Sequence, residues 1–544
     1  MADIQRSSDG IYHPRSEAEV QALVLQAVAA GVQIRVRGSG HSITPAILAT
    51  PVVSGPAPMN VMLDQLGFDP SDPNDKIRID KENKTVTVKA GCHLGFDPYD
   101  IAGMSSWQNS LLYTLDQAGL GFADLGGIIH QTVGGFLSTG SSGGSLKDGF
   151  GDCIMALTII DGNGVTHTAS RAAGDELFFA AGVSMGLLGI ITEVTFAVVD
   201  TWDIIGQQST TDFDDTPIDL TGNGSDGKPG LAAYLAQEEY PYIRLNWWPQ
   251  EGVNRMVVWK GKAMGAADYN AQTGTHEHFI PNPYAEFPMF GKLNAGAAGF
   301  GAPNIATEGP SELLAQGMGG LFYSVVGNWT QAIELLKPSF LVKAALDAVA
   351  LLYPTHILPM IINAFNPRDT DPNSSGKPSG PTPFWDRYWG SLPMDNKVDD
   401  KLMPTDFTEI WIPIEHTAAV MTDLANLYTT GGYTATGSYS CELYAAKKSD
   451  FWLSPSYAGD MFRVDIFWYG YNSSDPVTTY YPQFWNLLKE KSSCRFHWGK
   501  YQPLDPVYLS AQYPQWTAFM QLRAAMDPHN VFLTAYWKQY LGIA

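Results

Sequence analysis

The sequence predicts an α+β protein of two or three domains, and three observations carry that prediction. At 544 residues the chain exceeds the usual reach of one hydrophobic core. Apolar residues at helical spacing and short β-prone runs are mixed along the chain rather than segregated into one type. Glycine and proline are frequent, at 54 and 35 residues, and they punctuate the periodic segments as turns.

The elements follow in order. Val20, Leu23, Val24, Ala27 and Val28 line one face of a helix over 16–30, which ends at Gly31, a natural C-cap. Val32-Gln33-Ile34-Arg35-Val36 then reads as a strand that empties into Arg37-Gly38-Ser39-Gly40-His41-Ser42. Glycines at alternate positions let successive backbone N–H groups converge on one concavity, a nest suited to phosphate oxygens. A histidine in that turn is held close to whatever the nest binds; the plainer reading is a surface turn with an incidental histidine.

Val61 to Leu63 and Thr85 to Val88 predict strands, and a helix is expected within 99–119. A second glycine-rich stretch runs from Asp124 through Gly126-Gly127, His130, Gly134-Gly135 and Ser138 to Gly140 and Gly144. Ile154–Ile160 and Val165–Thr168 bracket Asp161-Gly162-Asn163-Gly164, a strong hairpin signal. Asp175 opens a helix, and Gly189-Ile190-Ile191 leads into a strand over 193–199. Composition shifts near Thr201, where a middle section begins with a strand over 242–248. A Pro-rich stretch over 371–383 predicts a long exposed loop. Strand signals return over 409–412 and after Tyr439, and a helix is expected over 513–526.

Bulk properties exclude several functions. A net charge of −22 leaves no basic excess to displace counterions from a nucleic acid. Cys92, Cys153, Cys441 and Cys494 are widely spaced, which is neither a disulfide framework nor a zinc site. The first residues lack an apolar core of the signal-peptide kind, so a cytoplasmic location is the expectation. The most apolar stretch, 335–365, is broken by Pro338, Pro354 and Pro359 and by four titratable residues. Buried helices are the first reading there, an apolar lid or membrane-surface contact the second.

Five segments in order then add a resemblance: Gly38 to Ser42; Val133-Gly134-Gly135 with Ser138-Thr139-Gly140; Ser184 to Thr192; Cys441-Glu442-Leu443 with Trp452-Leu453-Ser454-Pro455; and His497-Trp498-Gly499-Lys500. Over residues 10–200 and 405–544 the chain resembles the vanillyl-alcohol-oxidase superfamily of FAD-linked oxidases. Within it, the likeness is to the sugar-1,4-lactone oxidase and alditol oxidase branch. The resemblance implies a PCMH-type FAD-binding domain over 1–200, completed by a C-terminal segment over 490–544, with an α+β cap domain over 201–489.

It also implies roles for particular residues. His41 would carry FAD covalently on the flavin 8α-carbon, as a single link, because no cysteine stands in the 124–127 loop. Arg37, Gly38, Ser39, Gly40, Ser42, Asp124, Gly126, Gly127, His130, Gly134, Gly135, Ser138, Gly140, Gly189, Ile190, Ile191 and His497 would contact the cofactor. Lys500 would stabilise negative charge on the reduced ring and favour loss of the substrate's hydroxyl proton. Glu442 would contact substrate hydroxyls.

Two departures bear on the substrate. Tyr444 stands where an alditol oxidase has an arginine, and Gly127 where it has a serine. Loss of those polar grips admits a less polar alcohol beside a polyol or a lactone. In the family it resembles, a small residue at this place leaves a path for dioxygen, so Gly126 implies oxidation of an alcohol by O2 to give hydrogen peroxide. The rivals are a dehydrogenase of the same fold using a quinone or cytochrome, and a non-catalytic protein binding a flavin or another phosphate ligand.

Overall fold

The computed structural model describes residues 4–50, 55–67, 76–249, 253–268, 368–370, 380–397, 405–431, 440–469 and 475–543. The apolar stretch at 335–365 lies outside them, as does most of the enlarged middle region over 251–400. Among the described residues no helix is long and apolar enough to cross a membrane.

The architecture is α+β and centres on two antiparallel sheets. In the first half, β1 (Ile34–Val36) and β2 (Met59–Val61) form a small parallel pair. A five-stranded sheet runs in the order β3 (Ile77–Asp80), β4 (Thr85–Lys89), β8 (Ile190–Ala197), β6 (Ile154–Ile160), β7 (Thr166–Ser170). A two-stranded ribbon of β5 (Leu120–Gly121) and β9 (Val199–Asp200) flanks it. The predicted first helix spans Glu17–Ala30, with Ser16 capping Glu19 N–H and Gly31 in the left-handed region at φ 63°. It buries Val20, Leu23, Val24 and Ala27 in the same core as Val86, Val88, Ile159 and Val194. Trp537 and Leu541 of the last helix (Ala535–Leu541) join that core from the C-terminus.

The second sheet has eight strands in the order β15 (Thr382–Arg387), β10 (Asp203–Asp212), β14 (Arg255–Ala263), β13 (Tyr242–Trp248), β17 (Cys441–Ala446), β18 (Met461–Tyr469), β16 (Thr405–Pro413), β19 (Arg495–Phe496). A hairpin of β11 (Gly224–Ser225) and β12 (Lys228–Pro229) lies outside it. Strand alternation sorts its residues by chemistry. Ile243, Leu245, Leu443, Val464, Ile466, Ile410 and Ile412 share one core with Val420 and Leu424 of the helix Thr417–Gly431 and Phe484 and Leu488 of the helix Tyr481–Lys491. The intervening residues of the same strands carry the polar side chains of the site.

Several expectations shift. The helix expected within 99–119 is there, as Leu111–Gln117. The Asp97 and Asp100 carboxylates accept backbone N–H bonds from Tyr99, Ala102, Met104 and Ser105, which holds the stretch before it as a loop. The strand expected over 61–63 lies two residues earlier. Part of the predicted loop over 371–383 is strand: Thr382 and Pro383 open β15. That strand is the sheet edge, where a proline's missing N–H breaks no ladder. The helix expected from 513 starts at Trp516, behind a short helix Pro506–Gln512 capped by Asp505.

Candidate active site

A cleft and a cavity meet at the histidine turn. The cleft is lined by Arg37 to Ser42, Gly134, Gly135, Ser138, Gly189, Ile190 and Ile191, with Trp498, Phe532 and Trp537 beyond. The cavity, of about 460 Å³, is lined by Gly126, Gly127, His130, Glu442, Tyr444, His497 and Lys500 among others. Gly40, His41 and Ser42 line both. Two predicted residues lie elsewhere. Asp124 lines neither; its buried carboxylate sits over Gly143, and burial pushes it up to about 8. Gly140 lines a small separate pocket against Pro455 and Val183.

The cleft is built by close backbone approach. A Cβ on Gly38 would come within 2.4 Å of Thr132 Oγ1, and one on Gly189 within 2.4 Å of Ile160 O. Gly40 adopts φ 91°, the left-handed conformation the turn requires. Buried Arg35 donates to the carbonyls of Phe532, Ala46 and Met185, tying the last segment and two loops to the cleft wall. Ser39 Oγ donates to His130 O at 2.7 Å and joins the two glycine-rich loops. Hydroxyls and turn amides at one end with apolar Ile, Phe and Trp side chains nearby are the donor set an FAD needs, and the cleft fits it.

His41 sits among titratable neighbours. Ligand atoms of His41, Asp97 and His130 lie within 4.8 Å of one another, and the His41 and His130 rings are 5.7 Å apart. Burial holds the His41 imidazole below its usual pKa, so its neutral, nucleophilic form prevails.

The cavity wall is the polar face of the large sheet. Register places Glu409, Asp465, Glu442 and Asn246 in one row across β16, β18, β17 and β13. Trp411, Arg463, Tyr444 and Arg244 form the next row. Arg463 donates Nε to Glu409 Oε1 at 2.8 Å and Nη2 to Tyr444 Oη at 2.7 Å. Tyr444 donates to Asp465 Oδ2 at 2.8 Å. Lys500 Nζ pairs with Glu409 Oε2, lies 3.9 Å from Asp465 Oδ2 and sits 3.7 Å above the Phe407 ring. The five groups close a ring.

Opposing forces act on its two acids. Burial alone would raise the Glu409 carboxyl, but Arg463 and then Lys500 hold it well below the ordinary range. Burial raises Asp465, and the nearby Glu409 charge adds to that. Burial also lowers His497 to about 3, so its Nδ1 stays free to accept Gly499 N–H at 3.1 Å.

The sequence reading missed Glu409, Arg463, Asp465 and Arg244. A signal existed: Arg244, Arg463 and Asp465 are each a charge between two apolar residues of a β-prone run, and Glu409 stands between Thr408 and Ile410 in another. The loss of a polar grip expected at Tyr444 is not complete, because its hydroxyl is bonded on both sides within the ring. The need for glycine at 126 has a packing cause, since a Cβ there would lie 2.6 Å from the Phe136 ring.

Residues 399–540 match the D-arabinono-1,4-lactone oxidase family. A D-arabinono-1,4-lactone oxidase of Candida albicans is 26% identical over 60% of this chain and 56% of its own length. Mouse L-gulonolactone oxidase is 27% identical over 45% of the chain and 46% of its own length, so the aligned part spans about half of these relatives. Bovine L-gulonolactone oxidase is 22% identical over 96% of the chain and 93% of its own. The fold matches cholesterol oxidase from Brevibacterium sterolicum, with a TM-score of 0.63 at 14% identity, over 98% of this chain and 94% of that one. The chain is thus similar to sugar-lactone oxidases in sequence, most clearly over residues 399–540, and to cholesterol oxidase in fold.

Proposed function

We propose that this protein oxidises a hydroxyl of a sugar lactone or polyol, using FAD attached through His41 and dioxygen as the acceptor. Residues 1–200 and 490–544 form the FAD domain in this reading, and 201–489 the cap. The observation that carries it is the position of His41, shared by the glycine cleft and by a cavity walled with hydrogen-bonding side chains.

FAD, held by the residues of the glycine cleft, would supply a two-electron acceptor for the alcohol, with O2 as the final acceptor, so that a carbonyl product and hydrogen peroxide result. The chain's own residues do the rest. His41, kept neutral by burial at the mouth of the cavity, would be the residue that holds the flavin ring. Lys500 Nζ, fixed by Glu409, presents an N–H donor to the reacting hydroxyl oxygen and stabilises the charge that develops as its proton leaves. Glu442 and Tyr444 face the cavity from β17, where they orient the substrate's other hydroxyls. The polar ring supports a polyhydroxylated substrate over an apolar alcohol.

The test is oxygen consumption and peroxide release across lactones, alditols, and aliphatic and phenolic alcohols. Turnover only with an artificial acceptor would convert the reading to a dehydrogenase. A colourless protein that takes up no FAD would end it.

A further inference from the structure

Two glycines of the 120–127 loop each give up their side-chain space to one cap segment. A Cβ on Gly121 would lie 2.7 Å from Tyr388 Oη, and one on Gly127 would lie 2.3 Å from Asp395 Oδ2. The segment between those two partners is fastened to the loop throughout. Tyr388 is buried, stacks on Trp202 at 5.2 Å and accepts Phe122 N–H at 3.2 Å. Leu392 and Met394 enter the first core, and Asp395 N–H donates to Gly127 O at 2.9 Å.

The Asp395 carboxylate is thereby set into the wall of the substrate cavity at the one place on that wall where Gly127 leaves room. Arg244 grips both its oxygens at 3.2 Å, and its guanidinium also lies 4.0 Å from Glu442 Oε2 and 4.9 Å from the Tyr444 ring. The Arg244 side chain is 2% exposed and stands behind the wall, whereas Asp395 is 29% exposed. A bond to a buried arginine leaves carboxylate lone pairs open towards the cavity.

We propose that Asp395 is a specificity-determining residue: held by Arg244 over Gly127, its carboxylate accepts a hydrogen bond from a substrate hydroxyl remote from the reacting carbon. Arg244 is a positioning residue for Asp395 and Glu442 together. The inference rests on the polyhydroxylated-substrate reading and assigns one of its contacts. It also explains how the cavity keeps a polar grip with glycine at 127.

The experiment measures KM and kcat for D-arabinono-1,4-lactone, L-gulono-1,4-lactone, xylitol and 1-butanol in wild type, Asp395→Asn, Asp395→Ala, Gly127→Ser and the double variant Gly127→Ser/Asp395→Ala. Asp395→Ala is expected to raise KM for the polyhydroxylated substrates roughly tenfold or more, with kcat within about threefold. Asp395→Asn should fall between, and 1-butanol should be indifferent. Gly127→Ser alone is expected to lower both the melting temperature and kcat/KM, and the double variant to recover both in part. A purely structural latch would move the melting temperature without that KM selectivity. Unchanged KM in Asp395→Ala, with wild type turning over the lactones or xylitol, overturns the role of Asp395. If wild type oxidises none of the three polyhydroxylated compounds, the functional reading falls and the inference with it.

Discussion

The cleft and the cavity meet at His41 but are built in opposite ways. The cleft is made of backbone: glycines bring loops within contact distance, and a buried arginine is spent on three carbonyls. The cavity is made of side chains that reach across strands, with four charged groups and a tyrosine closing one ring. A backbone site tolerates little change in shape. A side-chain site can exchange one grip for another supplied by a neighbouring strand. Arg463 and Arg244 illustrate this, lying 3.9 and 4.9 Å from the Tyr444 ring that stands in place of an arginine.

The contrast can be broken most severely at the ring. Lys500→Ala should lower kcat/KM by about 10²–10³-fold while leaving bound flavin and its absorbance intact, as loss of a preorganised charge contact does. Equal loss of flavin in that variant would move Lys500 from the cavity's chemistry to the cleft's integrity. Glu409→Ala leaves buried Arg463 and half-buried Lys500 without their shared partner and should destabilise the fold by about 3–5 kcal/mol, read by chemical denaturation.

At the junction, wild type should keep a fluorescent pellet after acid precipitation, and His41→Ala should release its FAD into the supernatant. Its turnover should fall by about tenfold, since a less electron-withdrawn flavin accepts hydride more slowly. Fluorescence retained in the variant's pellet would assign the link to another residue.

The smallest effect sharpens the comparison through pH. Asp124 is pushed up to about 8 by burial. A carboxyl whose folded pKa exceeds its unfolded value near 3.9 contributes stability below that value, and loses it as pH rises through the folded pKa. Asp465, also raised, acts in the same direction, whereas Glu409, held low, loses its contribution only in acid. Apoprotein melting temperature should therefore decline from about pH 5 to pH 9, and Asp124→Asn should flatten that decline. An unchanged slope would show that Asp124 does not govern it.

The two regions also differ in how much of them could be read beforehand. Gly134-Gly135 fall in the helix Val133–Ser138 and meet the cleft only through the fold, whereas the turn from Gly38 to Ser42 was legible because a turn's backbone conformation is local, as the positive φ of Gly40 shows. The helix capped by Ser16 and Gly31 and the Asn163-Gly164 hairpin were legible for the same reason. The helix within 99–119 was legible but not its start, because side-chain carboxylates compete with a helix for the backbone N–H groups before it. Arg463 and Asp465 were passed over because a charge within a β-prone run looks the same whether it faces water or a site.

By itself the sequence determined the local devices: the glycine turns, the histidine placed among them, and the alternation that gives β13, β17 and β18 polar residues between apolar ones. Tertiary structure alone decided which polar faces meet. Glu409, Asp465 and Glu442 share a row only because β16, β18 and β17 pair in that register, and pairing register is a property of several strands at once. The fit of Asp395 over Gly127 belongs to the same class, since 268 positions of chain separate two atoms that compete for one volume.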